Sequence, residues 1–294
     1  MYYRRKILLA LLQHFDCGLE KLRLQKILFL FSNGQEKAAY YFVPYKFGCF
    51  SFQANADLGT MSKTGLIQED SKKWLKQDKL NYFQQLKETD RKRLKSILLL
   101  YGDKTADELI DLTYKKFPYF AINSTIAESR LTPSEYSSIL AAKPLSEEIR
   151  LFTIGYEGVS LEEYLNKLIR HNVKMLCDVR RNPLSMKYGF SKSQLKNACE
   201  GVGIAYLHLP EVGIDSELRQ NLETQQDYDL LFHRYREECL PATLDTQQQI
   251  LELLKKYQRI ALTCFEANVC QCHRKHLAES ISGLNGFMYS LQHL

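Results

Sequence analysis

The sequence predicts an α/β fold in which a C-terminal parallel or mixed sheet is flanked by helices, preceded by a mainly helical N-terminal domain. Three observations carry this. From about residue 150 onward, short apolar runs of strand length alternate with amphipathic runs of helix length, the order expected of strand–helix–strand units. Before that point apolar residues recur at helical spacing instead. Between the two, Leu131-Thr132-Pro133 through Pro144-Leu145-Ser146 carries the proline punctuation of a break. The chain therefore divides into domains at 1–147 and 148–294.

In the first domain, Lys6 to Phe15 and Glu20 to Phe31 predict helices, the second carrying basic Lys21, Arg23 and Lys26 on an amphipathic frame. The run from Tyr40 to Ser51 is aromatic and broken by Pro44 and Gly48, so it predicts a short extended element with a turn. Helices follow at Phe52 to Thr64 and Asp90 to Tyr101. In the second domain, Arg150 to Ile154 is a strand ending in a glycine turn, and Ser160 is the N-cap of a helix from Leu161 to His171. Val173 to Val179 is a buried strand, Lys192 to Glu200 a helix, and Gly203 to Pro210 a strand ended by its proline. Helices at Gln225 to Cys239 and Thr246 to Tyr257, a strand at Arg259 to Cys264, a helix at Cys272 to Ser282 and a strand at Gly286 to Leu291 complete the pattern.

Composition bounds the function. A chain of 294 residues, 45% hydrophobic and 25% charged, suffices for two cores. No run approaches the roughly 20 apolar residues that span a bilayer, and Met1-Tyr2-Tyr3-Arg4-Arg5-Lys6 does not resemble a secretory signal. No membrane partner and a cytoplasmic location are expected. The eight cysteines are scattered, which favours reduced thiols over a disulfide framework. A net charge of +6 permits a nucleotide or nucleic-acid partner without requiring one.

Two families share these residues. Leu22-Arg23-Leu24-Gln25-Lys26-Ile27-Leu28-Phe29, the run Pro44 to Ser51, and Asp57-Leu58 through Thr64-Gly65-Leu66-Ile67 resemble the Panacea domain, a SocA-like antitoxin-type module. That resemblance implies a helical domain that recruits a protein partner. Where the family has Gly-Pro this chain has Gly48-Cys49, so no proline ring fixes φ there. In the second half, Thr153-Ile154-Gly155-Tyr156-Glu157-Gly158, Asp178-Val179-Arg180 with Pro183 and Ser185, Gly189-Phe190-Ser191, Tyr206 with His208-Leu209-Pro210, and Cys264, Glu266 and Cys272-His273-Arg274 resemble domain of unknown function family 488. That resemblance spans residues 151–283 and implies a fold and a set of site positions, with no reaction attached. The family's common Leu-Gly-Gly stands here as Val212-Gly213-Ile214.

The chemistry follows from the residue types. Ligands of parallel α/β sheets bind beyond the carboxyl ends of the strands, where Asp178, Arg180, Glu266 and the Cys-His-Arg run are expected to gather. Gly155 and Gly158 bracket a strand-to-helix turn whose amides suit an anion; an ordinary tight turn explains them as well. Asp178 and Arg180 share parity on an extended strand, so they form either a site pair or a structural ion pair. Glu266, following a buried strand, is an acid–base candidate, and with Asp178 it supplies two carboxylates for water activation or a cationic transition state. Arg180 and Arg274 suit phosphate; Tyr156 and Phe190 suit substrate positioning.

Cys272, His273 and Arg274 open a helix at the substrate-binding edge, where Cys272 is expected to pack while His273 and Arg274 bind an anion, with a nucleophilic Cys272 as the alternative. Cys270, Cys272, His273 and His276 are zinc-type ligands, but one intervening residue between Cys270 and Cys272 is unlike the loops that wrap a tetrahedral ion. No metal or cofactor is expected, and Cys177 and Cys264 are expected to be core residues. Basic Arg180, Arg181, Lys187, Lys192, Lys196, Arg274 and Lys275 interleave with Tyr156, Tyr188 and Phe190, either as a solvated face or as a binding surface for single-stranded nucleic acid. The expected function is an enzyme that hydrolyses a glycosidic or phosphoester bond in a nucleotide or nucleic acid. The alternative is a non-catalytic ligand sensor or adaptor.

Overall fold

The computed structural model describes residues 1–215, 218, 222 and 224–294. It divides into two compact units, Met1–Lys143 and Pro144–Leu294.

The first unit is mostly helical. Helices span Tyr3–Leu12, Lys21–Ser32, Phe52–Lys63, Glu88–Tyr101, Ala106–Lys116 and Pro133–Ala142. Leu8, Leu11, Leu24, Ile27, Leu28 and Phe31 form the centre of its core. The aromatic run folds as a hairpin, Val43–Tyr45 against Gly48–Phe50. A small antiparallel sheet of Leu19–Glu20, Lys73–Lys76 and Ile67–Asp70 had no periodicity long enough to be read beforehand. Its strands of two to four residues fall below the length at which alternation becomes a signal. Asp57 sits buried in this unit, where it accepts from Arg4 Nε at 2.6 Å, Arg5 Nε at 2.8 Å and Tyr40 Oη at 3.0 Å.

The second unit contains β1 (Arg150–Gly155), α1 (Leu161–Arg170), β2 (Met175–Asp178), α2 (Lys192–Gly201), β3 (Ala205–His208), α3 (Gln225–Arg234), α4 (Leu244–Tyr257), β4 (Arg259–Cys264), α5 (His273–Ser282) and β5 (Ser290–His293). Five strands form one sheet in the order β5-β1-β4-β2-β3, and every neighbouring pair is parallel. Parallel neighbours need crossovers long enough for a helix, which is why strands and helices alternate along this half. All residues of β2 and β4 are buried, as expected of inner strands covered on both faces. Ser160 caps α1 by accepting from the Glu163 amide while Glu163 returns to the Ser160 amide, a reciprocal box that satisfies two of the helix's open donors.

The helices divide between the two faces. Tyr164 of α1 donates to Thr263 Oγ1 of β4 at 2.8 Å, and buried Cys199 of α2 lies within the electrostatic reach of Asp178. Leu251 and Leu254 of α4 and Leu277, Ala278 and Ile281 of α5 pack with Cys177, Ile260 and Leu262 on the opposite face. The chain thus leaves β1 and β2 toward one face and β4 toward the other. Loops that diverge in this way open a crevice beyond the carboxyl end of β4.

Candidate functional site

Three arrangements meet at this carboxyl edge. The first centres on Asp178, the last residue of β2, which is fully buried. Arg180 grips it bidentately, Nε to Oδ1 at 2.8 Å and Nη2 to Oδ2 at 2.5 Å. Tyr206 of β3 donates to Oδ2 at 2.6 Å, because Leu176 and Tyr206 are register partners and Asp178 lies two residues on, with the same facing. Arg180 Nη1 donates onward to Tyr156 Oη at 2.7 Å and to the Phe190 carbonyl at 2.8 Å. Burial works against the guanidinium charge, yet the hydrogen bonds and charge of Asp178, with those of Tyr156, hold its pKa above the ordinary value. Burial and the same carboxylate push the Tyr206 phenol well up. His208 Nε2 donates to the Arg180 carbonyl at 2.9 Å, which fixes the turn that follows.

Tyr156 and Phe190 stack with ring centroids 4.2 Å apart and planes 9° from parallel. Both rings are buried, so they form the floor of the edge. The exposed aromatic is Phe265, whose ring meets Tyr156 edge-on at 5.3 Å.

The second arrangement is a strap, residues 265–267, lying over the end of β1. The Phe265 carbonyl accepts from the Tyr156 and Glu157 amides at 3.1 and 2.9 Å. Glu157 in turn accepts from the Ala267 amide at 2.9 Å. Buried Arg274 of α5 donates to the Glu266 carbonyl at 2.5 Å and the Ala267 carbonyl at 3.2 Å. The strap explains Gly155 without a ligand: a Cβ there would lie 1.9 Å from the Glu266 carbonyl oxygen.

The third arrangement faces the other side of the sheet. Cys264 follows Thr263 on β4 and so faces oppositely. Its Sγ lies 3.6 Å from Nδ1 of His273, at the start of α5, and His273 Nε2 lies 3.0 Å from the Val179 carbonyl. Cys272 completes a buried set in which the ligand atoms of Cys264, Cys272 and His273 all lie within 4.8 Å of one another. Burial, the hydrogen bond to Cys264 and the charge of Glu266 push the Cys272 thiol well above its usual range.

Several expected roles change in this setting. Arg180 and Arg274 give most of their donors to Asp178, Tyr156 and backbone carbonyls, and Arg180 also borders the cavity over this edge. Asp178 is the anchor of a buried ion pair. The Tyr156 and Glu157 amides after Gly155 are taken by the Phe265 carbonyl. Cys272 is buried, in line with its packing role, and His273 is buried beside it. Cys264 is buried, as expected of a core residue, and joins them. Glu266 is part-exposed just past β4, and its charge reaches Cys272.

Over the edge lies a cavity of about 320 Å³ whose lining includes Tyr156, Arg181, Asn182, Ser185, Cys264 and Phe265. Asn182 and Phe265 were not singled out as site residues, and Arg181 was read only as part of a basic stretch. Arg181 carried a signal in its basic, loop-placed neighbourhood; Phe265 carried none, because a ring that ends a buried strand reads as core.

The sequence comparison bears on the same region. Residues 160–281 match the model of the family described as Domain of unknown function DUF488. The match runs from the N-cap of α1 into the last turn of α5, and so contains the Asp178 pair, the strap and the Cys264, Cys272, His273 set. Neither the curated proteins nor the solved structures contain a match to the chain.

Proposed function

We propose that the C-terminal unit is an enzyme acting on a nucleotide or nucleic acid, hydrolysing a glycosidic or phosphoester bond in the crevice beyond β4. The observation that carries this reading is the cavity at the switch point, whose lining includes two guanidinium groups, two aromatic residues, an amide and a hydroxyl. Its volume of about 320 Å³ is at the small end of the roughly 300–1,000 Å³ of ligand pockets. Arg181 is the phosphate contact: it is about half exposed, pairs with exposed Asp215 at 2.8 Å and donates more weakly to the Pro210 carbonyl at 3.4 Å. Such a surface pair is worth about 0–1 kcal/mol, so an incoming phosphate displaces it at little cost. Phe265 offers its ring to a base, and Glu266, the next residue, is the acid–base group. Asp178 holds Arg180 and thereby the loop that carries Arg181.

Titration with mixed nucleotides and short single-stranded oligonucleotides tests the reading. Arg181→Ala weakens binding and flattens its salt dependence, and Phe265→Ala costs about 1–3 kcal/mol of stacking. Glu266→Gln keeps binding and loses turnover. Absence of binding by the parent protein rejects the proposal; binding without turnover selects the sensor or adaptor reading instead. That second reading draws on the helical unit, whose Leu99 and Leu100 are 86% and 60% exposed and offer an apolar contact to a protein partner.

A further inference from the structure

We propose that Cys264, Cys272 and His273 form a thiolate–imidazole site for one zinc-class divalent cation, independent of whatever the crevice binds. Spacing along the chain argues against zinc only for the set Cys270, Cys272, His273 and His276. The fold uses a different set. Cys270 is exposed, and His276 turns toward Phe232, ring centroids 4.7 Å apart, and Arg236. In their place β4 delivers Cys264 from across the sheet.

Four features fit a metal. A tetrahedral ion with Zn–S about 2.3 Å and Zn–N about 2.1 Å requires the two donors to be about 3.6 Å apart. Cys264 Sγ and His273 Nδ1 are 3.6 Å apart, and Cys272 closes the triangle within 4.8 Å. The His273 tautomer is correct for ligation: a carbonyl only accepts, so Nε2 beside the Val179 oxygen carries the proton and Nδ1 keeps its lone pair. A backbone carbonyl on the distal nitrogen is the usual outer support of a metal-bound imidazole.

The charge also balances. On binding, two thiol protons leave to solvent, and two thiolates with a divalent cation sum to zero, which suits a buried position. Finally, three protein ligands leave a fourth position for water or a ligand atom, and Cys264 is also part of the cavity wall. The competing arrangement is a metal-free cluster in which the Cys264 thiol donates to Nδ1, or a Cys264–Cys272 disulfide.

The test uses the full chain, reduced, stripped of metal and titrated with cobalt(II), then with zinc in competition. One cobalt per chain with thiolate-to-cobalt charge-transfer absorption, displaced by zinc, is the expected result. Cys264→Ser, Cys272→Ser and His273→Gln each weaken binding at least as much as the about ten- to hundredfold seen for lost outer-shell partners. Cys270→Ser and His276→Asn leave it unchanged. X-ray absorption on the zinc-loaded parent chain, which needs no variant to fold, shows two sulfur neighbours and one imidazole. Failure of the reduced parent to take up metal, absorption that survives loss of Cys264, or absorption lost with Cys270 overturns the proposal.

Discussion

Asp57 shows how one buried acid organises the helical unit. Burial alone would raise its pKa, but the hydrogen bonds of Arg4 and Arg5, the charge of Arg4 and the Tyr40 hydroxyl win and hold it below the usual carboxylate range. A carboxyl depressed in the fold contributes stability that is complete above its unfolded pKa of about 3.9 and is lost as pH falls through the lower folded value. Asp57→Asn is therefore expected to cost about 3 kcal/mol at neutral pH, the low end for removing one partner of a buried pair. The deficit shrinks as pH drops below about 4 and disappears once the parent carboxyl is protonated. Amide exchange in the helix Phe52–Lys63, followed at both pH values, reads this out; a deficit independent of pH contradicts it.

At the scale of elements, the strap and the end of β1 depend on each other. Gly155 is the only residue type that lets the Glu266 carbonyl come so close. Gly155→Ala is expected to lift the strap and destabilise the unit by about 1–3 kcal/mol. Faster exchange of the Tyr156 and Glu157 amides, both bonded to Phe265, is the accompanying sign; unchanged exchange rejects the account. This interaction also marks what one sequence could disclose. The shared parity of Asp178 and Arg180 is local, so their pairing was readable as one of two outcomes. That Tyr206 would reach Asp178, that Cys264 would meet His273, and that Glu266 would cross Gly155 all depend on register and strand order. Those relations link segments far apart in the chain, and no spacing within one segment encodes them.

For the whole molecule, strand and helix alternation in the second half and helical periodicity in the first were long enough patterns to specify the fold class, because each element's period repeats several times. The short sheet of the first unit was hidden for the opposite reason. Residues 144–149, which open the second unit, have no regular structure, and Leu145 is 80% exposed. Exposed segments outside helices and strands are where proteases cut first. Thermolysin, which cleaves before leucine, is expected to cut the native chain before Leu145 and release two fragments whose masses locate the site. Initial cleavage within α1 or β4 counts against the division. Trypsin is a poor choice here, since Lys143 is followed by Pro144.

The neighbours Thr263 and Cys264 attend to opposite sides of one sheet, the first bonded to a tyrosine of α1 and the second to a histidine of α5. Deleting a single residue from this segment would send the hydroxyl and the sulfur to each other's destinations, while deleting two would restore both. Length variation in 259–264 is therefore tolerable only in even steps, a parity rule that a deletion series along the segment would expose as alternating loss and recovery.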